Sequence, residues 1–211
     1  MARPMSDTQT FEDLARAAAR DGAAAECADE ASALEERAAV VPPPRSEALL
    51  RAARGLRVAA RILAATVPGA APRVQGFGRT GLKGALAAGH LALAQGRPAQ
   101  AELIGDAVHE ASSRSPAGPR LVGQALFAQG RYRPAVRAFR GAVAVDPRDA
   151  YTRALHAEAL WFAGECEVAL AALAGLKAAG GAGGALATAL EKAFRCRAIP
   201  RKLPCARWTA Q

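Results

Sequence analysis

The stretch ALFAQGRYRPAVRAFRGAVAVDPRDA, residues 125–150, reads as the end of one helix, a glycine turn and a second helix. Gly130 offers the left-handed backbone that ends a helix without a Cβ penalty. Pro134 falls in the first turn of the following helix, where a missing N–H costs little. Pro147 closes the unit.

The same phase recurs at a spacing of 34 residues, with turn glycines at Gly96, Gly130 and Gly164. Small residues recur with it. Gly89, Gly123 and Ala157 share one position of the first helix, and Ala101, Ala135 and Ala169 share one of the second. A fixed period of this length is the mark of a helical repeat, and small side chains are needed where neighbouring backbones come closest. Elsewhere the chain agrees. Alanine is abundant, β-branched residues are sparse, and no period-two alternation is sustained, so the fold class is all-α.

The segment resembles the tetratricopeptide repeat (TPR), a helix–turn–helix unit of that length. In the unit starting at Pro116, Gly123, Gly130, Tyr132, Ala135, Phe139, Ala142 and Pro147 occupy the family's signature positions. The resemblance implies a helical solenoid of three helix–turn–helix repeats over residues 82–181, starting near Leu82, Pro116 and Ala150. Residues 1–44 form an acidic extension, helical or partly disordered, with a solvated tail as the simpler reading. Residues 45–81 make an amphipathic helix and a Gly/Pro linker standing for a degenerate repeat. Residues 182–198 make a capping helix, with Leu186, Leu190 and Phe194 on one face, and residues 199–211 a basic tail.

The resemblance also implies a site. In that family, one face of each unit's first helix lines a concave groove that binds a protein or peptide partner. Carried onto this chain, the groove holds Lys83, Leu86 and His90, then Arg120, Gln124 and Phe127, then Tyr151, Glu158 and Trp161. Aromatic anchors at one end and positive charge at the other suit a peptide with apolar side chains. The chaperone-tail clamp of some members is not expected, because its positions hold Leu86, His90, Leu121, Tyr151 and Leu155, and only His90 can donate to a carboxylate. A looser similarity to bacterial type III secretion chaperones implies an adaptor or chaperone role.

Other readings compete on the same residues. Gly76, Gly78 and Gly81 have the spacing of a dinucleotide-binding loop, but Pro68 and Pro72 stand where the buried strand should be, and the first acidic residue after Gly76 is Glu102, too far on for the ribose ligand. Those glycines read as a linker that reverses the chain. Cys27, Cys166, Cys196 and Cys205 form no CxxC pair and read as reduced thiols. The histidines are scattered, so no metal, cofactor or catalytic constellation is expected, and the chain is not read as an enzyme.

No apolar run reaches membrane-spanning length and no secretory signal is visible, which points to the cytoplasm. Charge supplies the rival partner class. Residues 1–44 carry 4 basic and 9 acidic side chains, and residues 45–211 carry 24 and 10. Arginine stripes at Arg54, Arg57 and Arg61, and at Arg131, Arg133, Arg137 and Arg140, offer a nucleic acid or anionic surface a series of phosphate contacts. A solvated face is the simpler account of them. The oligomeric state is open at this point.

Overall fold

The computed structural model describes residues 7–65 and 79–196, which are helix and turn with no strand among them. The chain divides into two compact units, Met1–Ser113 and Arg114–Gln211. The first contains α1 (Asp7–Ala39), α2 (Arg45–Ala65), α3 (Arg79–Ala94) and α4 (Pro98–Ala111). The second contains α5 (Ala117–Ala128), α6 (Tyr132–Val145), α7 (Ala150–Phe162), α8 (Cys166–Ala179) and α9 (Gly181–Cys196).

Three helix pairs therefore begin at Arg79, Ala117 and Ala150, beside the expected 82, 116 and 150. Each pair turns on its glycine. Gly96, Gly130 and Gly164 have φ of 74, 73 and 89°, the left-handed region that a side chain disfavours. The same pair of bonds closes each turn. Gly130 N–H donates to Phe127 O and Arg131 N–H to Leu126 O, both 2.9 Å, and equivalent bonds follow Leu93 and Trp161. This six-to-one closure satisfies carbonyls that a helix end would otherwise strand.

The pairs are divided between the two units, α3 and α4 packing with α1 and α2, and α5 to α8 packing with α9. Gly81 lies inside α3, so it does not serve chain reversal; its neighbours Gly76 and Gly78 lie outside the described residues, as does the 199–211 tail.

The acidic segment is not a solvated tail. Its helix α1 lies along α2 and buries Ala23, Cys27, Ala31 and Ala38. Those small residues lie four or seven apart, on one helix face. Its charges are engaged as well. Buried Arg20 makes a two-pronged bond to Glu110 (2.5 and 3.2 Å), Glu35 pairs with Arg57 at 2.6 Å, and Glu30 pairs with Arg97. Hydrogen bonding from Arg57 lowers the pKa of Glu35 from the ordinary carboxylate range. Cys27 is fully buried, and desolvation pushes its thiol up to about 11, which makes it an inert core residue.

Alanine makes up just over half of the buried hydrophobic residues among those described. Helices joined through alanine sit close, and two contacts show how close. At the α2–α3 crossing, a Cβ on Gly55 would lie 2.8 Å from the backbone oxygen of Gly84. In the second unit, a Cβ on Gly123 would lie 2.6 Å from the Phe139 ring. Phe139, at 1% exposed, fills the space that Gly123 leaves.

Helix α9 packs on α8 and α7. Phe194 stacks on Trp161 with ring centroids 4.4 Å apart and planes 6° from parallel. Cys166, at the start of α8, is disulfide-bonded, which corrects the reading of all four cysteines as reduced thiols. Sequence spacing gave no sign of that bond, because a disulfide needs spatial proximity and not a short motif.

His156 of α7 is half-buried, and its Nε2 has no hydrogen-bond partner. Desolvation lowers its pKa, Arg140 adds to the lowering, and Glu165 opposes it. The imidazole is thus held neutral in the fold, while the unfolded chain takes up its proton near pH 6.5. Its contribution to stability is intact above that pH and is lost as pH falls below it. The melting temperature is expected to drop between pH 7 and pH 5, before the carboxylates titrate, and His156→Gln should flatten that part of the curve. An unchanged slope in the variant would show that another group is responsible.

Candidate functional site

Helices α5 and α7 of the second unit carry six of the nine groove positions, and the structure brings four of those side chains into pairwise or shared contact. Asp149 fixes the geometry. It caps α7 by accepting from the backbone amides of Tyr151 (3.0 Å) and Thr152 (3.2 Å), and also accepts from the Thr152 hydroxyl at 2.6 Å. Its second oxygen receives Arg120 of α5 at 2.9 Å. Burial pushes the carboxyl up, but the Thr152 bonds, Arg120 and the Tyr151 amide together hold it below its ordinary range. One carboxylate thereby ends a loop, starts a helix and ties α7 to α5.

A turn further along, Gln124 Nε2 reaches the Tyr151 hydroxyl at 3.5 Å, a weak contact. Gln124 Oε1 is buried and has no partner. Tyr151 itself is 51% exposed, the largest outward aromatic surface among the described residues. Beyond it lies a small cavity of about 90 Å³, lined by Gln124 and Phe127 from α5, Leu155 and Glu158 from α7, and Phe139 from α6. Phe127 continues into a ledge of three rings. It meets Tyr132 edge-on at 5.2 Å and Phe162 edge-on at 5.3 Å, while Tyr132 and Phe162 stack at 5.2 Å. All three are only half-buried.

Trp161 stands apart from this face. At 5% exposed and stacked under α9, it belongs to the core, whereas Phe162 joins the ledge. Lys83, Leu86 and His90 lie on α3 of the first unit, with Lys83 and His90 exposed and Leu86 half-buried. Besides Phe162, three contributors were not among the nine groove residues. Leu155 follows Tyr151 by one turn on α7, and that spacing is its signal. Tyr132 and Phe139 were read only as residues at signature positions of the repeat, although both also border the open face.

The arginine stripes differ from one another. On α2, Arg57 is paired with Glu35, so that stripe is partly neutralised from within. On α6, Arg133, Arg137 and Arg140 are exposed on a helix without an acidic residue.

Among the described residues, no group of three or more His, Cys, Asp or Glu side chains is placed to hold a metal ion. No helix there is long and apolar enough to cross a membrane. No family model matches the chain, and neither the curated proteins nor the solved structures give a match.

Proposed function

We propose that the chain is a TPR-like interaction protein, an adaptor or chaperone, whose α5–α7 face binds a peptide segment of a protein partner. The observation that carries this reading is the half-exposed aromatic ledge, Phe127, Tyr132 and Phe162, next to the outward Tyr151, on a chain with only 5% aromatic residues. Aromatic side chains at a surface are the commonest anchors of protein interfaces. The 34-residue phase and the repeated glycine turns support the family likeness, and the secretion-chaperone similarity remains one form of that role.

The test is selection of displayed random 12-residue peptides on the full chain, followed by titration of a synthetic copy. Tyr151→Ala should weaken binding at least about tenfold with helicity unchanged, since an anchor residue is commonly worth roughly 2 kcal/mol on truncation. Binding should change only modestly between 50 and 200 mM salt, whereas a phosphate-driven complex falls steeply over that range.

The exposed α6 arginines favour a second reading, a polyanion. It replaces the first if Arg133/Arg137/Arg140→Glu abolishes binding to single-stranded DNA or anionic vesicles while no peptide is selected.

A further inference from the structure

We infer that the disulfide of Cys166 is made with Cys196, and that it fastens the far end of α9 to the start of α8 as a redox-released catch. The chain has four cysteines and Cys27 is free, so the partner of Cys166 is Cys196 or Cys205.

The 34-residue phase decides between them. Cys166 stands 34 residues after Tyr132, and Cys196 stands 34 after Phe162. Tyr132 and Phe162 are the stacked pair of the ledge, with centroids 5.2 Å apart, so one period earlier these two positions are in contact. Cys205 has no such counterpart, because the residue one period before it is Ala171, exposed on α8. The packing of α9 agrees. A Cβ on Gly183 would lie 2.9 Å from the Ala150 Cβ, and Phe194 stacks on Trp161 at 4.4 Å, so α9 runs beside α7 in the same direction from start to end. Its last residue, Cys196, is therefore level with the turn after Phe162, from which Cys166 opens α8.

What the bond does follows from how little else holds α9. Gly181, Gly183 and Gly184 stand at its start, and glycine is the poorest helix former after proline. Among its described side chains, Phe194 is the one large group that is fully buried, Leu186 and Leu190 being half-buried. A cross-link across this hairpin restricts the detached chain, and reduction gives that freedom back. A dithiol breaks the bond by exchange: its two sulfurs join as a disulfide, and Cys166 and Cys196 take up its two electrons and two protons as thiols. A disulfide donor reverses the step. Under oxidising conditions α9 stays closed on Trp161, and under reducing ones it opens and bares that ring.

Two measurements on the full chain test this. Trypsin cuts after Arg197, Arg201 and Lys202, so a non-reducing digest separates the two candidates and should join the Cys166 peptide to the one holding Cys196. Amide hydrogen exchange over residues 185–195 should quicken at least about tenfold when dithiothreitol is added, with α5 and α6 unchanged. Cys196→Ser should exchange like the reduced chain without any reductant, and Cys205→Ser like the oxidised wild type. The oxidised and reduced wild type differ by no residue, so their comparison stands even where a variant folds poorly. A Cys166 peptide joined to Cys205, or joined to neither in air-oxidised protein, overturns the pairing. Equal exchange in α9 before and after reduction of the Cys166–Cys196 bond overturns the release.

Discussion

Gly55→Val is expected to destabilise the first unit by about 3 kcal/mol or more, the upper end of the usual overpacking range. Its Cβ would sit 2.8 Å from the Gly84 oxygen and 3.5 Å from the Gly84 carbonyl carbon. Both atoms belong to a helix backbone, which cannot rotate aside as a side chain can. The opposing residue is also glycine, so nothing smaller remains to yield, and α2 and α3 must separate. That separation would strip neighbours from Leu56, Ile62 and Leu63, each about 1% exposed. Against a total stability of roughly 5–15 kcal/mol, such a loss is large.

Urea denaturation followed by circular dichroism checks it, with Gly22→Ala and Gly141→Ala as controls. An added Cβ at either control position meets nothing within 4 Å. Both should therefore gain about 0.5–1 kcal/mol through helix propensity alone. A Gly55→Val protein with the wild-type midpoint would mean that the two helices do not cross at this glycine.

Phe139→Ala should cost the second unit about 3–5 kcal/mol, the usual range for a fully buried phenylalanine. The ring fills the gap left by Gly123 and forms the floor under the cavity between α5 and α7, so its removal empties a space that a rigid helix pair cannot close. Gly123→Leu should also destabilise, for the opposite reason, since its Cβ alone would enter the ring. The two sites share one volume. Gly123→Ala should cost less in a Phe139→Leu background than in the wild type, a non-additivity that thermal melts of the four proteins would reveal. Additive costs would separate the two residues and displace Phe139 from under the groove. Trp161→Ala belongs with this group, as a core truncation that lowers stability and not a clean binding variant.

The helices and their glycine turns were legible from the sequence because their signal is local. A glycine with positive φ, a proline in a first turn and small residues at a fixed spacing each act within a few residues of themselves. What was illegible depends on distant partners. Residues 1–44 read as a solvated extension because they contain few large apolar side chains. Yet α1 docks through Ala23, Cys27, Ala31 and Ala38, and small residues suffice where helices meet closely. Its ion pairs join residues 22 to 90 positions apart, beyond any sequence periodicity.

Trp161 was misplaced for a related reason. The apolar face of α9 is visible as Leu186, Leu190 and Phe194, but nothing local says which end of α7 it covers. Of the candidate site, Gln124, Phe127, Tyr151 and Glu158 came from the family resemblance carried onto the chain. Their joining into one small cavity did not, because it depends on how far apart α5 and α7 stand.

The alanine-joined interior bears on how the fold responds to temperature. Heat capacity rises on unfolding in proportion to the apolar surface newly wetted, about 12–15 cal/mol/K per residue in ordinary domains. An alanine carries only one methyl group into the interior, and just over half of the buried hydrophobic residues among those described are alanine. This chain wets less apolar surface per residue than a leucine-rich bundle, so its stability curve is broad and shallow. Its stability is therefore expected to change more slowly with temperature than that of such a bundle.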